Sequence, residues 1–120
     1  MDSKELYEQL QKKLKERPAH LAPDVVRESH HAYIDYHVNK KYDEIYVIPM
    51  EEMAELTQHL SKIIRNKEGI DDIGFLEELV DVQICIVNLR IFHNIDPETF
   101  EYIKDIKLER TLRRVGEGTA

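Results

Sequence analysis

Cysteine is almost missing from this chain, with Cys85 the only one in 120 residues. An intrachain disulfide is therefore impossible, and a reducing compartment is the expected home. Long apolar runs are missing too. Asp81, Gln83, Asn88 and Arg90 interrupt the most hydrophobic stretch, so no membrane-spanning segment is expected. The opening MDSKELYEQLQKKLKERP lacks the apolar centre of a signal peptide. Positive charge is in deficit: 17 Lys and Arg against 24 Asp and Glu leave a formal charge of -7. That balance argues against a nucleic acid or an anionic membrane surface held by charge alone. A polyphosphate remains a possible ligand if divalent metal stands between the two sets of negative charge. Glycine and proline, four of each, fall where breaks between helices belong. These shortages describe one small cytoplasmic domain over 1–120, whose modest core would gain from self-association.

What is present is mostly helix-forming. Residues 2–16 carry Leu6, Leu10 and Leu14 at four-residue steps, the pattern of an amphipathic helix. A second helix is expected over 23–39, with Pro23 at its first position. A third should run from about 44 to 66, with Pro49 starting or kinking it, because proline has no amide hydrogen to give. A fourth is expected to about 93, capped by Asp71 or Asp72 after the connector NKEGIDD. The fifth starts at Asp96-Pro97-Glu98 and reaches about Arg114, leaving GEGTA as a frayed tail. The only strand signal, a weak one, is YDEIYVI. The expected fold is an all-α bundle with short connections.

Two acidic pairs stand out. Glu52 and Glu55 point within about 60° of each other on the third helix, with His59 and Lys62 on the same side and Ile45, Ile48, Leu56 and Ile63 flanking them. Glu51 turns toward solvent with Gln58 and Arg65. On the fourth helix Glu78 and Asp81 repeat the three-residue spacing, and Asn88 lies two turns beyond Asp81 on the same sector. That helix is apolar nearly all round, from Ile73 to Phe92, which predicts burial in a core or at a subunit interface. Carboxylates on such a helix cannot simply face water. A lone E-x-x-E reads as a solvated helix face. Two matched pairs on neighbouring antiparallel helices would bring four carboxylates together, and their repulsion requires cations. Hard oxygen donors favour Mg²⁺ or Mn²⁺ over zinc.

EEMAEL…K followed by EELVDV resembles the E-x-x-E…E-x-x-D signature of the MazG-like all-α nucleoside triphosphate pyrophosphohydrolases. Relatives of that family include dimeric dUTPases, dCTP pyrophosphatases and phosphoribosyl-ATP pyrophosphohydrolase. Here the signature is Glu52, Glu55, Glu78 and Asp81, with residues 56 to 77 between the pairs. ELTQHLSK after the first pair and NID before the last helix agree as well, and IKLERTLRR is similar to the basic last helix of phage-type members. The likeness covers roughly 42–115. Residues 1–40 form an additional N-terminal helical region, 116–120 a tail, and Pro49 departs from the small helix former usual in relatives.

The resemblance implies a four-helix-bundle-like MazG-type fold and Mg²⁺-dependent hydrolysis of a nucleoside triphosphate to monophosphate and pyrophosphate, with house-cleaning of the nucleotide pool as the role. It implies Glu52, Glu55, Glu78 and Asp81 as metal ligands, with Glu52 or Glu55 taking the proton of the attacking water. Lys107 and Arg110, three apart on one face, are the phosphate candidates on the last helix, and Lys62 is another. Each can equally be a solvated helix charge. Asn88 holds a sugar or base, or satisfies a buried hydrogen bond. His30, His31, His37 and the tyrosines 33, 36, 42 and 46 either line a base pocket or are plain helix core and surface. Glu28 and His31 have E-x-x-H spacing, but a di-iron bundle needs a second such motif, and there is none. The uncovered apolar helix predicts a homodimer or homotetramer with the site near a subunit interface. Two other functions stay open: a non-catalytic helical nucleotide-binding or assembly module, and phosphoribosyl-ATP hydrolysis, which the basic last helix fits less well.

Overall fold

The computed structural model describes residues 3–16, 21–66 and 72–119. Five helices account for their regular structure: α1 (Ser3–Glu16), α2 (Pro23–Lys40), α3 (Glu44–Asn66), α4 (Asp72–Phe92) and α5 (Pro97–Glu117). The chain divides into two compact units, residues 1–89 and 90–120. No strand occurs among the described residues. YDEIYVI, whose β-branched and aromatic residues favour extended chain, instead opens α3, where Ile45 is 2% exposed. Burial against a neighbouring helix overrides so weak a local preference. Where Leu6, Leu10 and Leu14 pack, and whether Asp71 caps α4, lie outside the described residues. None of the described helices is long and apolar enough to cross a membrane.

In the first unit, α2 begins without a side-chain cap. Ala22 occupies the cap position, and Pro23 presets the backbone angle of the first turn. The turn from α2 into α3 is short and heavily bonded. The Lys41 amide returns to the His37 carbonyl, and the Glu44 amide donates to the Lys41 carbonyl. The Nδ1–H of His37 donates to Glu44 Oε2 at 2.6 Å while Lys40 approaches Oε1 at 3.6 Å. The His37 bond leads in holding the Glu44 carboxyl below its ordinary value. Pro49 lies six residues into α3 and is buried, so it does not start the helix.

Among the described residues the buried ones are Ile34 of α2, Ile45 and Pro49 of α3, and Cys85 and Asn88 of α4, with Asn88 2% exposed. This small core leaves α4 partly uncovered within one chain, as its all-round apolar sequence leads one to expect. Leu79, Val80, Ile84 and Ile86 remain exposed.

In the second unit the chain turns from the end of α4 into α5. Asn94 takes the left-handed conformation (φ 51°), and the Ile95 amide returns to the Arg90 carbonyl at 2.9 Å. Asparagine tolerates that conformation better than most residues. Asp96 then caps α5 as its sequence foretells, accepting from the Thr99 amide at 3.1 Å and the Thr99 hydroxyl at 2.8 Å. These two bonds hold its carboxyl below the ordinary range. The Arg90 guanidinium sits 3.7 Å from the Phe100 ring centre, a cation–π contact. At the other end α5 runs past Arg114 to Glu117. Gly118, at φ 72°, closes it with bonds back to the Arg114 and Val115 carbonyls. The residues GEG thus make an ordered helix end, because glycine alone enters the left-handed region without steric cost. Replacing Asp96 with alanine is expected to fray the first turn of α5. Circular dichroism should show reduced helix content and a Tm lower by a few degrees, and the difference from wild type should vanish at pH low enough to protonate Asp96.

Candidate metal centre

Helices α3 and α4 of the first unit bring together three of the four acids that the sequence singles out. Glu52, Glu55 and Glu78 each offer a carboxylate oxygen, and the three oxygens lie within 4.8 Å of one another. Two of these residues are half-buried and Glu55 is exposed. The Oε2 atoms of Glu52 and of Glu78 are sealed from solvent and have no hydrogen-bond partner. Orphaned buried carboxylate oxygens are rare, because each has lost its hydration without compensation. Burial is the main force pushing both carboxyls above their ordinary range. For Glu52 the charges of Glu55, Asp81 and Glu78 add to it. For Glu78 those of Glu55 and Asp81 add, and His59 opposes them.

Asp81 takes a different place. It is exposed and stands outside the close trio, yet its charge is felt by Glu52, Glu78, Tyr33 and Cys85. It therefore borders the cluster at longer range. Of the two further residues on the Glu52–Glu55 stripe, His59 is half-buried beside Glu78 and Lys62 is exposed. Lys107 and Arg110 are exposed on α5, in the second unit.

The donor set suits a hard divalent cation. Three carboxylates offer only oxygen, the ligand that Mg²⁺ and Mn²⁺ prefer, and the two orphaned atoms are the ones such an ion would satisfy. An exposed third carboxylate leaves one side open to water and to phosphate oxygens.

Asn88 is bonded to a partner that sequence spacing did not connect with it. The Nδ1–H of His30, on α2, donates to Asn88 Oδ1 at 2.6 Å. Tyr33, one turn along α2, has its phenol pushed up by burial, with the charges of Cys85, Glu52, Glu44 and Asp81 contributing. It stands in the field of the acid cluster while packing on His37, ring centres 4.3 Å apart. The i, i+3 spacing of His30 and Tyr33 placed them on one face, but only the packing of α2 on α3 and α4 reveals what that face meets. Glu28 and His31 are both exposed.

The fold and this site define an all-helical protein with a convergent carboxylate cluster. No protein-family model, curated protein or solved structure matches the chain.

Proposed function

We propose that this chain is a Mg²⁺-dependent nucleoside triphosphate pyrophosphohydrolase of MazG-like type, with Mn²⁺ able to replace Mg²⁺. The observation that carries the reading is the pair of solvent-sealed, partnerless oxygens on Glu52 and Glu78, set within 4.8 Å of a Glu55 oxygen. An acid cluster that served only to keep a helix face wet would leave its oxygens in water. Glu52, Glu55 and Glu78 would hold the ion, with Asp81 completing the set at longer range or through water. The bound ion supplies neutralisation of the phosphates and acidification of the attacking water.

Glu55, the exposed member of the trio, is the residue best placed to receive that water's proton. The bond broken lies between the α- and β-phosphates, and pyrophosphate leaves. Lys62, on the same helix, meets the phosphate tail. Asn88 and its neighbours take the nucleoside. Incubation with Mg²⁺ and each ribo- and deoxyribonucleoside triphosphate is expected to release pyrophosphate and monophosphate, not inorganic phosphate. Failure across the whole panel, with the protein folded, would leave the non-catalytic nucleotide-binding module as the better reading. Release confined to phosphoribosyl-ATP would favour the third.

The working unit in this proposal is a homodimer or homotetramer. On α3, Met50, Met53, Leu60 and Ile64 are exposed at spacings of three, seven and four residues, on one side of the helix, with Ile64 75% exposed. Such spacing is the seam of a helix that packs along another helix. At about 100° per residue the stripe is turned roughly 145° from Glu52 and Glu55, so a partner seated on it would pack on a face of α3 away from the metal centre. Light scattering at micromolar concentration is expected to give a multiple of the 14.2 kDa chain mass. Leu60→Glu is expected to return it to the single-chain mass. A single-chain mass for the wild type would remove the assembly.

A further inference from the structure

A pocket of about 340 Å³ opens on the first unit between α2 and α4. Its walls are apolar where Leu21, Val26 and Ile84 line it. Its polar lining comes from Ser29, His30 and Asn88, and Tyr33 presents its ring. The volume is at the lower end for small-molecule sites, which suits one flat nucleobase, single or fused ring, and a sugar.

The polar lining has a defined hydrogen-bond polarity. Asn88 Oδ1 can only accept, so His30 must carry its proton on Nδ1 to make the 2.6 Å bond. In the neutral imidazole that leaves Nε2 as a bare acceptor, and Nε2 is the ring's only other polar atom. An acceptor is complementary to an amino group and repels a carbonyl. Tyr33 supplies an aromatic surface, 37% exposed, and its ring is also in tilted contact with His37. Stacking of this kind tolerates any base, so the discrimination has to come from the hydrogen-bonding atoms.

We propose that this pocket receives a nucleobase bearing an exocyclic amine, stacked on Tyr33 and selected by His30, whose bond to Asn88 fixes the ring as an acceptor. Thymine and uracil, which turn a carbonyl toward the same edge, are disfavoured. The position agrees with the hydrolase reading, because Tyr33 borders both the pocket and the field of Glu52 and Asp81. The choice of base rests on that reading for its catalytic meaning, but binding can be tested without it.

The test uses nucleosides alone, with no phosphate and with EDTA present, titrated into the full chain and followed by amide and imidazole NMR shifts. Deoxycytidine and deoxyadenosine are expected to move the Ser29, His30, Tyr33 and Ile84 resonances and to bind about tenfold more tightly than thymidine or deoxyuridine, the scale of one hydrogen bond. Ile84→Phe, which fills the pocket, is expected to abolish the shifts. His30→Phe keeps a stacking ring but removes the acceptor, and should reduce the amino-base preference to near unity. Absence of shifts for every nucleoside, equal affinity for all four, or a preference that survives His30→Phe would each overturn the proposal. The two readings fail separately. Nucleoside binding by a protein inert toward every triphosphate sinks the hydrolase and leaves the pocket. Triphosphate hydrolysis with a KM untouched by Ile84→Phe sinks the pocket and leaves the hydrolase.

Discussion

Glu55→Gln is expected to lower Mg²⁺-dependent pyrophosphate release by about 10²–10⁴-fold, the usual contribution of a positioned proton acceptor. The substitution keeps shape and removes the charge, so it acts on the metal and on the water's proton and leaves the packing of α3 alone. Glu55 is exposed, unlike Glu52 and Glu78, so it makes the least contribution to the core and its loss carries the least risk to folding. Without metal the variant should unfold no lower than wild type, because removing the Glu55 charge relieves repulsion on Glu52 and Glu78. Lys62→Ala is the useful contrast, since a phosphate contact on an exposed side chain should cost far less, raising KM more than it lowers kcat. Equal pyrophosphate rates for wild type and Glu55→Gln would end the assignment of this cluster as the reacting centre.

The second large effect is on stability, and its sign reverses with metal. The Glu52 and Glu78 carboxyls are both held above their ordinary value of 4.5, chiefly by burial. An acid raised in the folded state binds its proton more tightly there than in the unfolded chain. It therefore favours folding below about 4.5, and that advantage is lost as pH rises through the raised folded value. In metal-free buffer Glu78→Gln is expected to be more stable than wild type at neutral pH, with the gap closing as pH falls below 4.5. Added Mg²⁺ should invert the order. An ion at a hundred times its dissociation constant stabilises the form that binds it by about 2.7 kcal/mol, roughly 10 °C in Tm for a chain of this size. Glu78→Gln, with one donor fewer, should gain much less. A wild-type Tm that ignores Mg²⁺ and EDTA alike would show that nothing divalent is held there.

Much of the architecture is legible in the one-dimensional pattern. The bounds of α2, α3 and α5 follow from Pro23, from the polar connectors, and from Asp96-Pro97. Each is a local signal, since a cap or a proline acts within a single turn. The strand-favouring YDEIYVI goes the other way. It becomes helix because Ile45 finds a buried site, and burial is settled by tertiary packing and not by local preference.

The acid cluster divides along the same line. Spacing put Glu52 beside Glu55 and Glu78 beside Asp81, because residues three apart share a helix face. Spacing could not tell which of the four would meet. The packing of α4 on α3 draws Glu78 into the trio and leaves Asp81 exposed at its border, a difference of less than a turn on α4. His30 and Asn88 are 58 residues apart and share no local signal. Their bond exists because α2 and α4 are brought side by side. Sequence by itself determined that this chain is helical, acidic and supplied with paired carboxylates, because composition, caps and periodicity are properties of neighbouring residues. Tertiary structure alone decided which carboxylate oxygens are stripped of water and which proton His30 keeps, because burial and hydrogen bonding across helices depend on contacts between distant parts of the chain.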